Sequence, residues 1–362
     1  MKFLLRVAIK GLLLFALLNL LFIPNFERGL GAVSAYNVLF PGRPRLPFGE
    51  APQQAYNFSL FDVEAMFAAH EVNQPKVAGQ ETGGEYRVLV LGDSSIWGTL
   101  LTPEQTLTGQ LNALTAQDGL PVRFYNLGYP TISVTKDLMI LDRALATDPD
   151  LVIWVTTLEA LPVDKQLAVP LVENNPERAR SLIERYDLPL DAAALDQPTL
   201  WERTLIGRRK EIADVLRLQV YGIMWAATGI DQYYPDEYPP AQVDLDPDPT
   251  FQGYEDWSED DLAFWALDAG KAALGDVPLL VVNEPMLISA GANSDIRYNF
   301  YYPRGVYDDY RAWMQAWAEQ AGVAYLDAWD IVPAEEFTNS AIHLNPAGTA
   351  RLAELIAEAL KR

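Results

Sequence analysis

Apolar positions follow two alternating patterns along most of this chain. From residue 86 onward, short unbroken apolar runs take turns with stretches in which leucines recur every three or four residues. YRVLVLG (86–92) is apolar nearly throughout, as expected of a strand covered on both faces. VRFYNLG (122–128), LVIWVT (151–156), PLLVVN (278–283) and VAYLD (323–327) repeat the pattern and predict four more strands. Leu138, Leu141 and Leu145 predict a helix over 134–147, and two more are predicted over about 305–320 and 346–361. The last has Asn345 as cap, Pro346 in its first turn, and Leu352, Leu355, Ile356 and Leu360 on one stripe. Thr102-Pro103-Glu104-Gln105 predicts a further helix start, with Thr102 as cap and Gln105 closing a capping box. Strands alternating with helices specify an α/β fold. The expectation is a three-layer α/β/α domain with a parallel five-stranded sheet in the order 2-1-3-4-5. Ligands would bind at the carboxyl ends of the strands.

Two regions break this rhythm. Lys2, Arg6 and Lys10 precede GLLLFALLNLLFIP, and counted from Phe3 the apolar segment has the length a bilayer requires. Basic residues before it and Glu27 after it favour a cytoplasmic N-terminus and an extracytoplasmic body. Residues 1–25 are therefore read as a single-pass anchor in the cell membrane; a cleaved signal peptide, with VSA at 33–35 as its cleavage site, is the competing reading. Residues 26–85 form a connector, because FPGRPRLPFGEAPQQ is too rich in proline and glycine for long regular elements. Within it, SLFDVEAMFAAHEV (59–72) is a short helical pattern whose His70 reads as a surface or packing histidine. The remaining domain, 86–362, carries an insertion at 160–275. Part of that insertion, 201–229, is amphipathic, with Leu205, Ile212, Leu216, Val220 and Ile223 on one face and a basic cluster at Arg208, Arg209 and Lys210. That cluster suits either a solvated face paired with acids or lipid head groups. A proline-rich acidic loop over 233–257 follows.

Composition narrows the function. Of 362 residues, 49 are acidic and 27 basic, and the net charge of −22 repels phosphate backbones, so nucleic acid is set aside as a partner. The chain has no cysteine, which excludes disulfides, thiolate catalysis and cysteine-based zinc sites. His70 and His343 are its two histidines, too few and too far apart in sequence to suggest a zinc site.

The stretch LGDSSIWG (91–98) places Ser94 just past the first predicted strand, where an α/β protein binds ligands. A tight turn whose serine merely caps a helix is the alternative. GDSSIWG resembles the first block of the SGNH, or GDSL, hydrolases, a resemblance that spans roughly 86–160 and 278–362. It implies that Ser94 is a nucleophile. NLGYPT (126–131) matches the second block and implies that the Gly128 N–H joins the Ser94 N–H in an oxyanion hole. AIHLNPAG (341–348) matches the last block and implies that His343 is the general base.

Two positions depart from the family pattern. The third block, Gly-x-Asn-Asp, is replaced by VTTLEAL (155–161), with Thr157 near the glycine and Glu159 near the asparagine. The hydroxyl of Thr156 or Thr157 could donate in the asparagine's place; otherwise the Ser94 and Gly128 N–H groups would have to suffice. The aspartate expected three residues before the histidine is Ser340, preceded by Asn339. An asparagine carbonyl can accept from the imidazole Nδ1–H. Asp327, Asp330, Glu335 and Glu336 lie upstream in the same loop and are also in contention. Asn283 and Glu284 end the fourth strand and are expected at the rim of the cleft. The segment 293–311, dense in tyrosine, arginine and aspartate, suits either a carbohydrate or a loop sealed by aromatic packing.

The resemblance thus implies a membrane-anchored SGNH-type serine esterase or O-acyl transferase. Its substrate would be an acylated surface glycan or lipid-linked sugar. No metal or cofactor is implied. Relatives with one membrane helix imply a membrane-bound O-acyltransferase as partner. A catalytically inactive SGNH fold, serving as a glycan-binding or membrane-partner module, is the alternative.

Overall fold

The computed structural model describes residues 2–27, 39, 63, 67, 70, 72, 76, 84–117, 121–195, 199–229, 237–238 and 257–361. The cleavage site at 33–35, most of the connector and most of the acidic loop lie outside the described residues. The chain divides into two compact units. One comprises Met1–Asn73, Asn174–Pro176 and Ala193–Tyr233; the other comprises Gln74–Glu173, Glu177–Ala192 and Tyr234–Arg362.

The first unit contains α1 (Lys2–Glu27). Its stretch Lys2–Ile23 is long and apolar enough to cross a bilayer, and its leucines are exposed. The amphipathic segment forms a helix over Arg209–Thr228. His70 lies in this unit beside the Phe67 ring and accepts a hydrogen bond from the Val72 N–H through Nδ1, which makes it a packing histidine.

The second unit is an α/β sandwich. Its strands are β1 (Tyr86–Gly92), β2 (Val122–Gly128), β3 (Leu151–Thr156), β4 (Leu279–Asn283) and β5 (Ala324–Asp327). All neighbours are parallel, in the order β2-β1-β3-β4-β5. Every residue of β3 and β4 is buried, which is why these strands read as continuous apolar runs. Val88, Val90, Ile153, Val155, Leu280 and Val282 point to one face of the sheet. There they meet Leu107 and Leu111 of α3 (Leu107–Gln117) and Leu352 and Ile356 of the C-terminal helix. On the other face, Trp154 packs on the helix Phe264–Leu274, where a Cβ at Gly270 would lie 2.4 Å from the Trp154 ring. That helix falls inside the expected insertion at 160–275, yet it covers the sheet.

Helix starts follow their local caps. α4 (Val134–Ala144) begins at Ser133, whose side chain accepts from the Lys136 N–H. The Thr102–Gln105 box forms only in part: Gln105 Oε1 accepts from the Thr102 N–H, but α3 begins at Leu107, with Thr106 Oγ1 accepting from the Gly109 N–H. The turn at Pro103 folds back over Gly109, where a Cβ would be 2.1 Å from the Pro103 carbonyl oxygen. α5 (Phe264–Leu274), α6 (Arg304–Ala321) and α7 (Pro346–Ala359) follow later in the chain, and the helix Pro176–Tyr186 lies between α4 and α5. Asn345 caps α7 by accepting from the Ala347 and Gly348 N–H groups.

Candidate active site

At the carboxyl end of β1 the chain turns at Gly92, where a Cβ would lie 2.5 Å from Ile96 Cγ1. Asp93 then caps a single helical turn, α2 (Ser94–Trp97), by accepting from the Ser95 N–H at 2.7 Å. Gly98 ends that turn in a left-handed conformation, at φ 88°, which favours glycine. Ser94 is the first residue of the turn. Its Oγ lies 2.8 Å from His343 Nε2, across 249 residues of sequence.

His343 is delivered by a pinned loop. Phe337 and Leu344 form an antiparallel bridge, and the Thr338 N–H donates to the His343 carbonyl at 2.8 Å. The Ala341 carbonyl accepts from the Leu287 N–H at 2.7 Å, tying the loop tip to the segment after β4. This geometry brings Asn339, not Ser340, beside the ring: His343 Nδ1 is 2.9 Å from Asn339 Oδ1. An amide oxygen only accepts, so Nδ1 carries the proton and Nε2 is left to accept from the Ser94 hydroxyl. Two of the upstream acids are occupied elsewhere, Asp327 by Arg311 and Asn283 and Glu336 by Arg351. Burial lowers the pKa of His343 below its ordinary value of 6.5, and the Asp93 carboxylate opposes that shift.

The expected oxyanion donors are differently placed. Among the described residues the Ser94 N–H has no partner. The Gly128 N–H donates to Asn126 Oδ1 at 2.9 Å, while Asn126 Nδ2 donates to the Ile96 carbonyl at 2.8 Å. Gly128 is needed for another reason: a Cβ there would lie 2.3 Å from the Trp97 nitrogen, so only glycine lets β2 end against α2. Thr157 is fully buried and its hydroxyl donates to Tyr302 Oη at 2.8 Å. The Thr156 hydroxyl is buried and, among the described residues, has no partner. Glu159, at the position of the family's asparagine, is paired with Lys165.

Behind the serine lies a buried polar cluster. Ser95 Oγ donates to Glu284 Oε2, and the other oxygen, Oε1, has no partner among the described residues. Glu284, expected at the rim of the cleft, is buried, and that burial, reinforced by the nearby Asp93 charge, raises its pKa well above 4.5. Lys136, on α4, is fully buried and donates to the carbonyls of Gly92, Tyr129 and Thr131. It also pairs with Asp137 at 2.7 Å. One ammonium therefore joins the ends of β1 and β2, which hold the serine turn in place. Sequence reasoning missed Lys136; its only trace is a Lys-Asp pair opening a helix that is otherwise buried.

Asn283 is likewise buried, donating to Asp327 Oδ1 and to Tyr307 Oη. Tyr298, Tyr302, Tyr307 and Tyr310 are buried and in ring contact with one another or with Trp329. For these four residues aromatic packing is the observed arrangement. Tyr301 alone of the segment's tyrosines is exposed.

The sheet order, the serine after β1 and the histidine before the last helix are the features by which the chain resembles SGNH/GDSL hydrolases. No family model and no curated protein matches the chain. Among solved structures it is similar to Est24, a carbohydrate acetylesterase from Sinorhizobium meliloti, at 18% identity, covering 76% of this chain and 99% of that one with a TM-score of 0.36. It is also similar to the M. smegmatis aryl esterase, at 17% identity over 76% and 98% of the two chains with a TM-score of 0.35. A two-domain esterase active on acetylated mannans is similar at 11% identity over 76% and 48%, with a TM-score of 0.37.

Proposed function

We propose that this protein is a serine ester hydrolase or O-acyl transferase of the SGNH type. The observation that carries the reading is the continuous relay from Ser94 Oγ through His343 to Asn339, at 2.8 and 2.9 Å. Ser94 Oγ attacks the carbonyl carbon of an ester while its proton passes to His343 Nε2. The bond to the alcohol breaks, the imidazolium returns the proton to the leaving oxygen, and an acyl-Ser94 intermediate remains. Water then completes hydrolysis, or a second alcohol completes transfer. Asn339 holds the tautomer, and the Asp93 charge favours the transient imidazolium.

The Ser94 N–H is the first oxyanion donor. Gly128 supplies the second once Asn126 turns away from it, and the Thr156 or Thr157 hydroxyl a third. The substrate is an O-acyl group on a surface glycan or lipid-linked sugar, reached by a domain that α1 tethers outside the membrane, beside a membrane-bound O-acyltransferase. The engaged Gly128 and Thr157 groups favour a second reading, a glycan-binding or partner-docking module that does not turn over.

Hydrolysis of p-nitrophenyl acetate and of acetylated sugars by the purified chain separates the two. Turnover that is lost in Ser94→Ala supports the enzyme. Sugar binding without turnover in the folded wild type supports the module.

A further inference from the structure

The Arg209–Thr228 helix shows its apolar stripe to water. Leu216, Val220 and Met224 follow at four-residue spacing and are 61%, 57% and 56% exposed, with Ile223 beside them also exposed. A helix of a soluble unit would turn such a stripe inward. The residues leading into it, Leu200, Trp201 and Ile206, are exposed as well.

The same compact unit holds α1, whose apolar surface is also uncovered. A polar contact ties α1 to the segment leading into this helix. Asn19, buried on a largely exposed helix, accepts from the Leu205 N–H at 2.9 Å through Oδ1 and donates to the Phe15 carbonyl through Nδ2. Asn19 lies four residues before Ile23, the end of the span, which is about 6 Å at 1.5 Å per residue. The 199–208 segment is therefore fixed at the depth where hydrocarbon gives way to head groups. Charge points the same way. In a chain of net charge −22, Arg208, Arg209 and Lys210 open this helix and Arg217 follows two turns later. Exposed apolar side chains and a basic cluster on one helix, with an exposed tryptophan in the segment leading into it, are the features of a membrane-surface helix.

We propose that the Arg209–Thr228 helix lies in the outer interface of the bilayer, with Leu216, Val220, Ile223 and Met224 in the acyl region and its basic residues on anionic head groups. The inference rests on α1 residing in that bilayer. It gives the protein a second attachment, one that depends on lipid charge.

The chain lacks cysteine, so single cysteines can be placed without background. An environment-sensitive fluorophore is attached at Leu12→Cys (α1), Leu216→Cys, Val220→Cys or Glu184→Cys (surface of the sheet unit) in the full chain. The proteins are reconstituted in phosphatidylcholine vesicles with and without phosphatidylglycerol, and quenched by nitroxide lipids or by iodide. We expect lipid quenching at 216 and 220 to resemble that at 12 and to exceed that at 184 several-fold. It should strengthen with phosphatidylglycerol and weaken in high salt. Iodide quenching at 216 and 220 with lipid quenching at 12 would overturn the surface helix and leave the anchor standing. Protection of 216 and 220 from both quenchers would overturn it in favour of a second copy or a protein partner. Iodide quenching at 12 would remove the anchor and this inference together. Equal quenching with and without phosphatidylglycerol would overturn the role of the basic cluster.

Discussion

Asn339 Oδ1 lies 2.9 Å from His343 Nδ1, in the position where a serine hydrolase usually keeps a carboxylate. The amide fixes the tautomer but adds no negative charge to stabilise an imidazolium. In serine proteases the corresponding aspartate-to-asparagine change costs about four orders of magnitude in kcat. Restoring the charge should therefore help. Asn339→Asp is expected to raise aryl-ester hydrolysis at least several-fold. Asn339→Ala should lower it, because the ring is then free to rotate. Steady-state kinetics of the two variants check this; a faster Asn339→Ala enzyme would show that the contact does not serve the histidine.

The pH profile follows from the same ring. His343 must be neutral to accept the serine proton, and burial disfavours its charged form. The kcat/KM should therefore rise from acid to a plateau, with a midpoint below 6.5. In Asn339→Asp the added carboxylate stabilises the imidazolium, so the midpoint should move up. A midpoint above 6.5 in the wild type, or a downward move in the variant, would contradict this arrangement.

Glu284 offers a test by stability. Its carboxyl is buried beside Asp93, and its pKa is raised well above 4.5 in the folded state. Below the unfolded pKa both states hold the proton. As pH rises past it, the unfolded state ionises first, and the native state loses up to about 1.4 kcal/mol per pH unit until Glu284 itself ionises. A glutamine keeps the acceptor for Ser95 Oγ and does not titrate. Glu284→Gln should match the wild type near pH 4 and become more stable than it towards pH 8, as read from urea midpoints. A deficit that grows with pH would mean that the native carboxylate is ionised and stabilising.

Gly128 is expected to tolerate no side chain. A Cβ there would stand 2.3 Å from the Trp97 backbone nitrogen, and the α2 turn has nowhere to retreat without moving Ser94. Gly128→Ala should cost about 1–3 kcal/mol of stability, the usual range for overpacking, and should lower activity further than that loss explains. Unfolding and kinetics measured on one preparation check it; an active variant of wild-type stability would count against this packing.

What was legible in the sequence and what was not divide along physical lines. Three of the five strands read directly, because β1, β3 and β4 are buried on both faces and leave unbroken apolar runs. Ser94 and His343 sit in short local motifs beside element ends, so their chemistry is written locally. The choice of Asn339 over Ser340 was open until the Phe337–Leu344 bridge set the loop's register. Lys136 and Glu284 were out of reach because their burial depends on which distant elements converge on them. A lysine that opens a helix looks solvent-facing until three carbonyls from β1 and the loop after β2 surround it. The tyrosines of 293–311 had two readings for the same reason, since ring-on-ring packing depends on partners that composition does not name.

Ser94 should behave as an activated nucleophile towards a covalent probe. A fluorophosphonate is added to the folded chain, and the modified peptide is mapped by mass spectrometry. One adduct is expected, on Ser94 and not on the adjacent Ser95. It should be absent in Ser94→Ala and strongly slowed in His343→Ala. No adduct on the folded wild-type protein, or an adduct on a different serine, would contradict it.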